Sequence, residues 1–197
     1  MNKKISIGNN VIPPMPIALV GSLVDGRANF MTVGWLSRVN YQPPMLALSL
    51  NKAHHTPKGI IQNGSFSACF PNLAMEQITD YCGVVSGETT DKSKLFELFY
   101  GETKTAPMIA DCPLNLECRL VQTVELPTNV LYIGEIVAAW SEERFLTDGK
   151  PDMRKIDPLL LTMPDNRYWG IGAQAGDAWK DGIIMKKRIE EGTDASV

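Results

Sequence analysis

The stretch PIALVGSLVDGRANFMTVGWLSRV, residues 16–39, decides the fold class. Two apolar runs flank Asp25-Gly26, and an Asp-Gly pair between apolar runs is a strong hairpin signal. The second run is unusual for a strand. Asn29, Thr32 and Trp35 fall within seven residues, where a packed strand favours β-branched and aromatic side chains. A period of two places Asn29, Met31, Val33 and Trp35 on one face and Thr32 on the other. The run is therefore an exposed edge, or a wall against which something flat and polar-edged lies.

Outward from this hairpin the chain stays rich in strands. PPMLALSLN (43–51) alternates, with Leu46, Leu48 and Leu50 on one face. SFSACFP (65–71) reads as a further strand, and LECRLVQTVELP (116–127) with NVLYIGEIVAAWSE (129–142) as a long antiparallel pair turning at Pro127-Thr128-Asn129. Short helices are predicted between strands. TPKGIIQNG (56–64) has Thr56 at the N-cap, Pro57 at the first helical position and Gly64 past the end. NLAMEQITDYCG is expected to be capped by Asn72, and DKSKLFELFYG to run from Asp91 to Gly101. Residues 151–180, punctuated by Pro and Gly, are expected to wrap the sheet. Strands with short inserted helices predict a mainly β protein built on a closed or nearly closed antiparallel barrel. The expected division is one domain over residues 1–180 and a charged tail over 181–197, helical at first and frayed at its end.

Of the 197 residues, 44% are hydrophobic and 21% charged, with a net charge of −3 and a pI of about 5.4. This balance gives no reason to expect nucleic acid or an anionic membrane as partner. Apolar runs are short, so no membrane-spanning helix is expected. MNKKISIGNN lacks the apolar core of a signal peptide, and a cytoplasmic protein is expected. Cys69, Cys82, Cys112 and Cys118 form no C-x-x-C pair, and His54 and His55 are the only histidines; reduced thiols and no metal site are predicted.

Two places suit an anion. In SLNKAHHTP (49–57) a strand ends, a polar loop turns and a helix starts, exposing free N–H groups and a partial positive charge. Ser49, His55 and Thr56 add donors there and Lys52 adds charge. In CGVVSGETTDKSKLF (82–96), Ser86-Gly87 turns the chain before Lys92, which opens a helical segment. A lysine at that end opposes the helix dipole and makes sense if it points at an anion. GIGAQAG (170–176) resembles a dinucleotide glycine fingerprint, but no buried strand precedes it and no βαβ unit follows, so a loop is predicted.

Taken in order, these segments resemble the flavin reductase-like, FMN-binding split-barrel family, nearest its flavoredoxin branch. The resemblance rests on Pro14-Met15-Pro16, Asp25-Gly26, Asn29 to Thr32, Gln42-Pro43-Pro44 and Ser49 to Thr56. It continues through CGVVSGETTDKSKLFE, CPLNLECRLVQTVEL and LYIGEIVAAW, over roughly residues 10 to 140. Gly34-Trp35 and Lys52-Ala53-His54 stand where many members carry small residues and an arginine, which favours the flavoredoxin branch. The resemblance implies a six-stranded Greek-key split barrel, a homodimer, and FMN near the subunit interface. It implies that Asn29, Met31, Thr32 and Trp35 lie along the flavin ring, Met31 and Thr32 through their backbones. Ser49, Leu50, Asn51, Lys52, His55 and Thr56 would hold the ribityl chain and phosphate, helped by Ser86 and Lys92. The implied role is electron carriage or reduction of flavin, with NAD(P)H or a reduced iron–sulfur protein as donor. A flavin-storing barrel without turnover is the alternative. No side chain is expected to act as acid or base.

Overall fold

Asp25 and Gly26 both adopt positive φ, 51° and 78°, the conformation of a two-residue type I′ hairpin turn. They join β2 (Ala18–Val24) to β3 (Arg27–Val33), in register from Val24↔Arg27 to Ala18↔Val33. The computed structural model describes residues 3–191. Its remaining strands are β1 (Ile12–Pro16), β4 (Leu36–Asn40), β5 (Met45–Asn51), β6 (Ser65–Phe70), β7 (Leu98–Phe99), β8 (Met108–Ile109), β9 (Leu114–Glu125), β10 (Asn129–Ser141), β11 (Leu146–Thr147), β12 (Lys150–Pro151), β13 (Leu160–Met163) and β14 (Arg167–Trp169). The helices are α1 (Thr56–Asn63), α2 (Glu76–Val84), α3 (Met153–Ile156) and α4 (Asp181–Glu190). The predicted frayed end of the tail, residues 192–197, lies outside the described residues.

Seven strands make the main sheet, in the order β3-β2-β6-β9-β10-β5-β4. Its two end strands are consecutive in sequence, separated only by Gly34 and Trp35. Three Cα–Cα steps reach ~11 Å at full stretch, so the two edges of the sheet must lie side by side and the sheet must curl into a barrel. Gly34-Trp35 is the corner, held by Ser49 N–H donating to the Trp35 carbonyl at 2.9 Å. The implied count of six strands is met if β3 and β4 are taken as one strand bent at this corner. β6 returns beside β2 rather than beside β5, as a Greek key requires.

The barrel interior is apolar. Ala18, Val20, Val33, Leu46, Leu48, Leu50, Phe66, Ala68, Val130 and Tyr132 pack there, so the expected Leu46/Leu48/Leu50 face is the inward one. The opposite parity on β2 and β3 sends Leu19 and Phe30 outward. There they meet Cys69, Cys82, Met108, Ile109 and Cys112 in a second cluster. All four cysteines are buried and unbridged. No group of three or more potential ligands among the described residues could hold a metal ion, and no described helix is long and apolar enough to cross a membrane.

Three helix expectations need correction. The N-cap of α1 is His55, not Thr56, which is already helical; the predicted stop at Gly64 does occur, at φ 62°. Asn72 caps nothing with its side chain, and a 3₁₀ turn (Leu73–Met75) precedes α2. Residues 91–101 form only a 3₁₀ turn, Lys92–Leu95, before β7 pairs with β8. Phe96, Leu98 and Phe99 all pack against the second cluster, and an extended chain reaches it where a helix would turn away.

β1, β13 and β14 form a separate three-stranded sheet. β13 pairs with both β1 and β14, and Leu161 approaches the Gly34 corner, where an added Cβ would meet its Cδ2 at 3.2 Å. Residues 170–176 carry no regular structure, as predicted.

Candidate functional site

A trough runs along edge strand β3 and the Gly34-Trp35 corner. It has two basins, a polar one of about 310 Å³ and a more apolar one of about 290 Å³. Met31, Thr32 and His54 line both.

The polar basin is framed by Ala53–Thr56, the end of α2 and the segment 85–87 with Lys92. Its donors point to an anion. Thr56 Oγ accepts a hydrogen bond from Asn29 Nδ2 at 2.7 Å, which leaves its hydroxyl hydrogen free to donate. Ser86 Oγ accepts from the Glu88 N–H and is free to donate in the same way. His55 Nδ1 is buried with no partner. Lys92 is 2% exposed, and its Nζ donates to the carbonyls of Cys82 and Val85, both at 2.9 Å. An ammonium has three donors, and none of the ion pairs found among the described residues involves Lys92. Burial lowers its pKa, a shift that Cys82 opposes. A buried cation satisfied only by carbonyls is costly until an anion joins it. Burial pushes the Cys82 thiol up to about 11, so it stays protonated at neutral pH.

Gly87 presses its backbone against the wall of this basin. An added Cβ would fall 1.7 Å from Asn29 Oδ1, so any side chain would displace the amide that holds Thr56. On the other face of β3, Thr32 Oγ donates to the Thr79 carbonyl and ties the strand to α2.

The second basin is a slot between the Val33–Trp35 corner, the end of β5 and Leu161. Trp35 is 44% exposed there. Its polar rim is built in register: Asn51 lies opposite Asn129, Asn129 Nδ2 donates to Ser49 Oγ at 3.2 Å, and Thr128 Oγ donates to Asn129 Oδ1. The Ala53 N–H donates to Asn51 Oδ1 at 2.9 Å. Between the basins, burial and then the charge of Lys92 hold the His54 imidazole below its ordinary value of 6.5.

Met31, Thr32, Trp35, Ser49, Leu50, Asn51, His55, Thr56, Ser86 and Lys92 are thus brought to one trough. Two expected residues are not. Asn29 sits behind the wall, buried and bonded to Thr56. Lys52 turns outward to Glu125 at 2.8 Å. The expected shared face of Asn29 and Trp35 also fails, because β3 ends at Val33 and the corner takes Trp35 out of the alternation. His54, Gly87, Asn129 and Leu161 complete the trough without having been singled out. Gly87 had a signal in its Ser-Gly turn; Asn129 and Leu161 arrive through pairings distant in sequence.

A curled sheet split at one corner, with a two-basin trough along the split, defines the class. The family model described as "Flavin reductase like domain" matches residues 13–162, and the chain belongs to that family. Among solved structures, it is similar to flavoredoxin from Methanosarcina acetivorans, with 61% identity, 92% of this chain and 98% of that one covered, and a TM-score of 0.90. It is similar also to flavoredoxin of Desulfovibrio vulgaris (Miyazaki F), with 32% identity, 92% and 100% coverage and a TM-score of 0.86. An FMN-binding protein from Thermus thermophilus shares the fold at 23% identity, with 90% and 97% coverage and a TM-score of 0.76.

Proposed function

We propose that the trough holds FMN, phosphate in the polar basin and ring in the slot, and that the protein is an electron-carrying flavoprotein of flavoredoxin type. Lys92 carries this reading: a buried ammonium with one donor unspent, beside the orphaned His55 Nδ1 and the N-terminus of α1. A phosphate dianion supplies the missing acceptor, and charge-assisted hydrogen bonds are the strong ones. Bound FMN would supply the redox chemistry. The chain's own groups bind and orient it: Thr56, Ser86, His55 and Lys92 the phosphate, and Ser49, Asn51 and Asn129 the polar edge of the ring. Trp35 and Leu161 keep water from the slot.

The protein is further proposed to work as a cytoplasmic homodimer. β9 leaves Val121 and Val124 exposed, with Leu126 just beyond, and such apolar patches suit a second copy. The electron donor is NAD(P)H or a reduced iron–sulfur protein. Purified protein should be yellow, or become so with added FMN, and stopped-flow reduction by NADH, NADPH and reduced ferredoxin identifies the donor. A colourless preparation that takes up no FMN refutes the proposal; FMN that no donor reduces within seconds leaves a storage barrel.

A further inference from the structure

Met31, Thr32 and His54 are the residues common to both basins, and of these only His54 titrates. If the ring lies in one basin and the phosphate in the other, the junction holds the start of the ribityl chain and the ring edge that bears it. That edge carries N1, where negative charge gathers when flavin takes up an electron pair and a single proton. We propose that His54 is the charge-compensating residue of the site: its imidazole gains proton occupancy from solvent when the FMN-loaded protein accepts an electron pair. This rests on the FMN reading above.

The groups around His54 leave it this task. Lys92 is committed to the Cys82 and Val85 carbonyls and to the polar basin. Lys52 is held outward by Glu125, and Lys58 pairs with Glu88 at 3.8 Å on the flank of the polar basin. His55 lines only the polar basin, where its Nδ1 is buried without a partner. The Cys82 thiol is neutral, its pKa raised by burial. No carboxylate lines either basin, so nothing but the cofactor would attract a proton to His54. The residue is solvent-exposed, and its backbone N–H donates to the Asn51 carbonyl at 3.1 Å, which fixes the loop and leaves the imidazole out of that bond. In the flavin-free chain, partial burial and then the charge of Lys92 favour the neutral imidazole. A negative charge arriving beside it favours its charged form and raises its pKa. The reductant gives an electron pair to the ring, solvent hydronium gives one proton to ring N5, and solvent hydronium also supplies the fraction of a proton that His54 gains, about half at most for a one-unit rise in its pKa; each hydronium O–H bond that breaks leaves water.

The chain has two histidines, so imidazole NMR on FMN-loaded protein resolves both, and His54→Gln assigns them. We expect the His54 pKa to rise on reduction with dithionite by about one unit, a tenfold gain in proton affinity. By linkage the same tenfold is ~30 mV for a two-electron couple. His54→Gln should therefore lower the midpoint potential by about that amount in acid and leave it unchanged in alkali, while His54→Lys should raise it in alkali. A purely structural role would move the potential equally at every pH. An unchanged His54 pKa on reduction, or potentials running parallel across the pH range, overturns the inference while FMN binding stands. Failure to bind FMN overturns both.

Discussion

The two ends of the trough are built differently. The polar basin comes mainly from short segments, 53–56 and 82–92: a helix start without a side-chain cap, a Ser-Gly turn and a lysine bonded to carbonyls within ten residues of it. The slot comes from strands distant in sequence, with Asn129 opposite Asn51 and Leu161 delivered by a second sheet. The polar end therefore concentrates buried charge, whereas the slot spreads weaker contacts over four strands and the corner. Affinity for the cofactor should reside mainly at the polar end, and placement of its ring at the slot.

The severest break should come at Gly87. Gly87→Ala drives a methyl into the Asn29 amide and should cost about 1–3 kcal/mol of stability as overpacking, with loss of FMN binding; thermal unfolding and fluorescence titration read both. Lys92→Met keeps the buried stem and removes the charge. It should weaken FMN binding by about 1.5–3 kcal/mol. If it does not, charge at the polar end is not what holds the cofactor. At the slot, Asn129→Ala should cost only about 0.5–1.5 kcal/mol of FMN affinity; a loss larger than that of Lys92→Met would invert the comparison. Lys52→Ala should alter neither affinity nor stability by more than about 0.5 kcal/mol, since its exposed pair with Glu125 is worth little.

The same contrast explains what the residues disclosed in advance. The β2–β3 hairpin was legible because Asp25-Gly26 demands one turn type and the flanking runs alternate. The polar basin was legible in its parts, because a helix start and a misplaced lysine are local signals. Thr56 joins it not as a cap but as an acceptor for Asn29, a pairing that depends on how β3 meets α1. The slot was legible only in part. Trp35 stood out by its chemistry, yet its orientation depends on a corner that ends the strand period. Asn129 looked like a turn residue until strand register set it against Asn51. Lys52 was misjudged because Glu125, remote in sequence, lies within its reach.

The central claim is that the polar basin binds the phosphate of FMN. Its most direct test compares FMN with riboflavin, which lacks that phosphate, by fluorescence titration of the wild type and Lys92→Met. The account predicts that the wild type binds FMN at least tenfold (about 1.4 kcal/mol) more tightly than riboflavin, and that this preference shrinks in Lys92→Met. Equal affinity of the wild type for the two flavins would contradict it.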